Sequence, residues 1–167
     1  VLNRRAFFEQ LEAEVQRSVR YGHRLTALMI DLDHFKELND RYGHATGDQV
    51  LIATGSCIVE NLRSSDVVGR YGGEELVVFL PETTTEDGGL VAEKLRAAVE
   101  GLAIESDDTG QADALPVRTT ISIGVASLPD KPSTGEQDLI RLADEALYAA
   151  KREGRNRVCI ASGSAGA

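Results

Sequence analysis

Two β-rich runs, Val67–Tyr71 and Leu76–Leu80, are separated only by Gly72-Gly73-Glu74-Glu75. A joint that short between strands is a hairpin, and paired glycines suit it because they accept positive φ at little steric cost. An antiparallel pair in mid-chain excludes an all-parallel, doubly wound sheet. Around it the apolar spacing changes repeatedly. From Arg4 to Tyr21 it is helical, through Phe7, Phe8, Leu11, Val15 and Val19. Leu25–Asp31 is a short apolar run ending in acid and reads as a buried strand. Asp33 stands where an N-cap belongs, ahead of a short helix over His34–Arg41. Behind the glycine-bounded loop Tyr42–Gly47, a longer helix runs to about Leu62, burying Val50, Leu51, Cys57, Ile58 and Leu62. Thr84–Val99 returns to helical spacing through Leu90, Leu95 and Val99. Val117–Ala126 reads as a strand, Glu136–Lys151 as a helix and Arg157–Ile160 as a last short strand. Glu105–Leu115, acidic and poor in large apolar groups, is expected to be a surface loop. The order α-β-α-α-β-β-α-β-α-β predicts an α+β fold with a mixed, mainly antiparallel central sheet flanked by helices.

Length allows one domain: 167 residues against roughly 100–200 per domain. Residues 1–160 are expected to form it, and the small, polar residues 161–167 a flexible tail. Because the sequence opens at Val1 without methionine, it is expected to be a piece of a longer protein. Eighteen basic against 27 acidic residues give a net charge of −9. That balance argues against binding nucleic acid polymers, which needs a basic surface to release phosphate counterions. Small anionic ligands stay open, provided a metal ion and a few local cations neutralise them. The longest apolar run is Leu76–Leu80, far short of the ~20 residues a membrane helix needs, so no membrane contact is expected. Cys57 and Cys159 lie far apart in no CxxC pairing and read as reduced residues of a cytoplasmic protein.

Acids beside apolar strands need a reason. Asp31 ends a buried strand, and Glu74 and Glu75 sit at a hairpin tip. If those strands are neighbours, three carboxylates converge at one sheet edge, where repulsion raises their pKa values unless a cation is present. Mg²⁺ takes oxygen ligands of this kind, usually one or two carboxylates with water and substrate phosphates. Solvated turn acids are the other reading of the same spacing. Gly43–Asp48 leads into a helix whose start either holds a phosphate or is capped by Thr46 or Asp48; it lacks P-loop spacing. Lys151, Arg152, Arg155 and Arg157 crowd the end of the last helix, where cations are favoured in any case. Arg63 and Asp66 read by spacing as a weak surface pair. None of the three histidines has a metal-site partner at useful spacing. The residues alone therefore reach a Mg²⁺-dependent nucleotide or phosphate site.

At Arg70-Tyr71-Gly72-Gly73-Glu74-Glu75-Leu76 the chain resembles the GGDEF family of bacterial diguanylate cyclase domains. Asn3-Arg4-Arg5, Asp31-Leu32-Asp33-His34-Phe35-Lys36, Asn39-Asp40, Tyr42-Gly43-His44 and Gly47-Asp48 follow the family order. So do Ser122–Ala126, Ala143-Asp144, Ala146-Leu147-Tyr148, Lys151 and Gly154-Arg155-Asn156. One departure is Leu76, where the family usually has Phe. It heads the second hairpin strand and is expected to pack inward.

The resemblance implies a fold like the palm of nucleotide cyclases and polymerases, with a ferredoxin-like core. It implies condensation of two GTP, on two facing domains of a homodimer, into cyclic di-GMP and two pyrophosphates. By position it implies Mg²⁺, with Mn²⁺ as a substitute, on Asp31, the Leu32 carbonyl and Glu74. Glu74 or Glu75 takes the 3′-hydroxyl proton and Lys36 steadies phosphate charge. Asn39 and Asp48 read guanine, His44 and Phe35 line the nucleotide pocket, and Lys151 and Arg155 hold the terminal phosphates. Arg63-Ser64-Ser65-Asp66 is similar to the family's inhibitory RxxD site for the product, five residues before the glycine turn. A catalytically silent module that binds GTP or cyclic di-GMP is the alternative implied by degenerate relatives. Asp31, Lys36, Asn39, Asp48, Glu74 and Glu75 are all present against it.

Overall fold

The computed structural model describes residues 1–105, 116–128 and 136–161. The predicted loop over Glu105–Leu115 lies almost wholly outside them, as does most of the tail. Ten elements follow in the predicted order: α1 Arg4–Tyr21, β1 Leu25–Leu32, α2 Phe35–Tyr42, α3 His44–Glu60, β2 Val67–Arg70, β3 Glu75–Pro81, α4 Thr85–Glu100, β4 Ile121–Ser127, α5 Glu136–Arg152 and β5 Val158–Ile160. They form one five-stranded sheet in the order β2-β3-β1-β4-β5, antiparallel except for the parallel β4–β5 pair.

β1 runs through the centre and is buried along its whole length. Strand alternation sends its side chains to two cores. Leu28, Ile30 and Leu32 join Leu76, Val78, Val50, Ile58 and Leu95 beneath α2, α3 and α4. Ala27 and Met29 join Val77, Phe79, Phe7, Leu11, Ala143 and Leu147 beneath α1 and α5. Helices on both faces explain why LTALMIDL carries almost no polar alternation. Leu76 is 5% exposed and packs inward as expected. Leu90, placed inward by its spacing, is instead 67% exposed, because the buried stripe of α4 runs through Gly88, Ala92, Leu95 and Val99. Val19 at the end of α1 is likewise exposed.

Four local expectations change. β4 begins at Ile121 rather than Val117, which forms only an isolated bridge with Ile104. Asp33 does not cap α2. The N-cap is His34, in the left-handed region at φ 56° with no side-chain cap bond, and Asp33 is drawn into bonds with distant residues. Thr46 and Asp48 do not cap α3, since that helix starts at His44 behind Gly43. The hairpin is present, yet neither Gly72 nor Gly73 has positive φ. The turn is held by Tyr71 N donating to the Glu75 carbonyl (2.9 Å) and by the Arg70 guanidinium on the Gly72 and Gly73 carbonyls. A Cβ on Gly72 would lie 2.5 Å from Glu75 Oε2, so a side chain there would push the end of the Glu75 carboxylate aside.

Cys57 is buried and Cys159 half-buried, both as free thiols. Among the described residues no helix is long and apolar enough to cross a membrane.

Candidate active site

Antiparallel register brings the predicted acids together. Asp31, at the end of β1, pairs directly with Glu75, the first residue of β3. Leu32 N donates to the Glu74 carbonyl at 3.4 Å, tying the strand end to the hairpin turn. Asp31 is only 7% exposed, and its Oδ2 lies 2.8 Å from Lys151 Nζ near the end of α5. Burial pushes the Asp31 carboxyl above the usual carboxylate range; the Lys151 bond pulls it back, while Glu74 and Asp33 add repulsion. Glu75 is raised too, first by burial and then by Asp31, with Asp144 and Glu74 contributing and Lys151 opposing. The edge is thus short of positive charge, and one lysine partly supplies it.

Among the described residues no three His, Cys, Asp or Glu side chains gather into a closed metal cage. The donors at this edge are carboxylate and carbonyl oxygens, with the ammonium of Lys151 standing where a cation is wanted. Such a partial oxygen shell suits Mg²⁺, which keeps waters and takes few protein ligands, better than a metal needing an enclosed site.

Asp33, two residues on, is 5% exposed and its carboxylate is fully engaged. It accepts from Thr120 Oγ1 (2.7 Å), Ser122 Oγ (2.6 Å) and the Asn156 backbone N–H (3.0 Å). Of these, Ser122 and Asn156 lie in segments that carried the family resemblance, but no role attached to them. Asp33 was misread as a cap because the partners that claim it are far away in sequence.

The remaining expected substrate residues divide between α2 and α3. Phe35 is buried at the start of α2; Lys36 is exposed beside it, and Asn39 is half-buried one turn on. His44 and Asp48 lie exposed in the first turns of α3. The helices meet where Asn39 faces Gly47, and a Cβ on Gly47 would fall 1.8 Å from Asn39 Oδ1. That buried oxygen has no hydrogen-bond partner among the described residues. Gly47 therefore positions Asn39, a role its place in a glycine-bounded loop hinted at without specifying. Arg155 is exposed beyond the end of α5 in a left-handed conformation, φ 63°.

Arg63 and Asp66 lie apart from this edge, in the turn between α3 and β2. Asp66 Oδ2 accepts from Arg63 N at 2.9 Å and Oδ1 from Ser65 Oγ at 3.3 Å, closing the turn. A cavity of about 280 Å³ adjoins it, reaching Asn61, Val91 and Lys94. β2 and β3 separate the corner from the acidic edge.

A mixed sheet with acids at the tip of its β2–β3 hairpin defines a palm-like class of domain, and the comparisons narrow it. Residues 1–157 match the family model "Diguanylate cyclase, GGDEF domain". The chain is 40% identical over 158 residues to the diguanylate cyclase DosC of Escherichia coli, covering 95% of this chain and 33% of that protein. Its fold is similar to the active GGEEF domain of a diguanylate cyclase from Vibrio cholerae, with TM-score 0.87, 32% identity, and 96% and 97% of the two chains covered. It is equally similar to the GGDEF domain of DgcB from Caulobacter crescentus, solved in complex with c-di-GMP (TM-score 0.87, 33% identity, 95% and 90% covered). This chain belongs to the GGDEF family. It spans about a third of the length of the curated relatives it matches.

Proposed function

We propose that this domain condenses two GTP into cyclic di-GMP and two pyrophosphates, acting as one half of a face-to-face homodimer. The observation that carries the reading is the register pairing of Asp31 with Glu75 beside Lys151, a charge-deficient acidic edge at the tip of a GGDEF-family hairpin. Asp31, the Leu32 carbonyl and Glu74 would hold Mg²⁺. Bound there, the ion supplies charge neutralisation at the triphosphate and at the reacting phosphorus.

The chain's own groups do the rest. Asn39 and Asp48 orient guanine, Asp48 by accepting from its N1 and N2 hydrogens. His44 and Phe35 border the base, while Lys151 and Arg155 hold the terminal phosphates and Lys36 offsets charge at the transferring one. Glu74 or Glu75 accepts the 3′-hydroxyl proton as that oxygen bonds to the α-phosphorus of the GTP on the facing domain. The bond from that phosphorus to the bridging oxygen breaks and pyrophosphate leaves. A second, symmetric step closes the ring. Exposed Arg63 and half-buried Asp66, beside their own cavity, support a separate product site that slows turnover.

Incubating concentrated domain with GTP and Mg²⁺ and separating nucleotides by mass tests this. Cyclic di-GMP is expected from the parent and none from Glu74→Ala, Glu75→Ala. No product from the parent, even when the domain is artificially dimerised, overturns it.

A further inference from the structure

The segment leaving α5 is held more firmly than its exposure suggests. Arg155 and Asn156 both have positive φ, 63° and 47°, a conformation non-glycine residues keep only when their surroundings impose it. Here the constraints are visible. Arg155 N donates to the Ala150 carbonyl at 3.0 Å, closing the helix. Asn156 N donates to the buried Asp33 carboxylate at 3.0 Å. The Asn156 side chain is clamped at both ends, its Oδ1 accepting from Arg96 at 2.7 Å and its Nδ2 donating to Glu100 at 2.7 Å. Arg96 is itself fixed by Glu93 and Glu100 on α4. The next residue, Arg157, accepts from Ile123 N in β4. Five hydrogen bonds, from α5, Asp33 just beyond β1, α4 and β4, thus set residues 155–157, while the Arg155 side chain makes no hydrogen bond among the described residues.

Asp33 stands two residues from Asp31, and Lys151, on the last turn of α5, bonds Asp31 directly. The frame that fixes the Arg155 backbone is therefore anchored on the strand end that carries the acidic edge. We infer that Asn156 is a positioning residue, clamping the left-handed turn onto Asp33, just beyond β1, and onto α4 through Arg96 and Glu100 so that Arg155 is presented to the terminal phosphates of GTP. The inference rests on the function proposed above. It assigns Asn156 no contact with substrate: its effect runs entirely through Arg155.

A double-mutant cycle tests this, read as Mg²⁺-dependent binding of a GTP analogue with a methylene between the α- and β-phosphorus, against GMP. Asn156→Ala is expected to weaken the analogue about tenfold, the scale of one or two lost hydrogen bonds, and to leave GMP unchanged. Arg155→Ala does the same, and the double variant binds no more weakly than Arg155→Ala alone. Asn156→Gly keeps the left-handed backbone and the N–H to Asp33 but loses the side-chain clamp, so its loss is smaller. It also serves in place of Asn156→Ala should that variant not fold. An unchanged analogue-to-GMP ratio in the folded variants, or additive losses in the double variant, overturns the inference. If the parent makes no cyclic di-GMP and binds neither nucleotide, the functional reading falls first and this one with it. If the parent is active and only the cycle fails, Asn156 alone loses its role.

Discussion

The acidic edge and the Arg63–Asp66 corner lie at opposite ends of the β2–β3 hairpin and treat carboxylate charge in opposite ways. Asp31 is buried, faces Glu75 across the ladder and has one ion pair to offset both. Asp66 sits half in solvent and satisfies itself within its own turn, through Arg63 N and Ser65 Oγ. A buried ion pair such as Asp31–Lys151 adds little net stability, since desolvation consumes much of its attraction. The edge is thus left wanting a cation, whereas the corner is complete at rest. The proposed catalytic charge stands where the fold tolerates it only with help. The proposed regulatory charge stands where the fold is indifferent to it.

The largest effect that sharpens the contrast comes from Asp31→Asn. Turnover is expected to fall about a thousandfold, as when a group aimed at developing charge is removed. Stability responds the other way. Because burial raises Asp31 in the fold, the folded state keeps that proton longer than the unfolded chain. The resulting stabilisation is complete below the usual carboxylate range and fades as pH rises through the higher folded value. Metal-free thermal melts should therefore lose stability over that window. Mg²⁺ should restore it at the upper end, and Asp31→Asn should flatten the slope. A variant as steep as the parent would break the comparison.

At the corner, Arg63→Ala with Asp66→Ala should raise the concentration of cyclic di-GMP that halves the rate by tenfold or more. Thermal stability should move only slightly, since an exposed turn is involved. A loss of several degrees would show that the corner is structural after all. The smallest effect belongs to Gly47→Ala. The new Cβ displaces the Asn39 carboxamide, and the KM for GTP should rise about fivefold while kcat holds, the pattern of lost ground-state binding. Equal losses in both would place Gly47 closer to the chemistry.

The order of elements was readable because each segment states its own period: a buried apolar run for β1, a glycine turn between β-rich runs, helical stripes for α1, α3 and α5. Convergence of Asp31 with Glu74 and Glu75 was readable only on the condition that their strands be neighbours, which the sheet order satisfies. What stayed hidden was long-range. Asp33 looked like a cap because its three partners lie 87, 89 and 123 residues away. Gly72 was read as a φ requirement, yet what a side chain there would meet is the Glu75 carboxylate, a contact that exists only once the hairpin closes. Likewise Gly47 against Asn39, and Asn156 between Arg96 and Glu100, are contacts between elements that no local pattern announces.

The two borders of the sheet bear on how copies of this domain behave when crowded. β2 is an edge strand, and Leu2 already occupies its outer side, donating to the Val68 carbonyl at 2.8 Å and accepting from Arg70 N at 2.9 Å. The opposite edge, β5, is only three residues long. With one border sealed and the other too brief to template a ladder, copies crowded together have little backbone to zip onto. A domain proposed to work by pairing with a second copy must survive crowding without fibrillating. Here the covered margin of β2 supplies that protection.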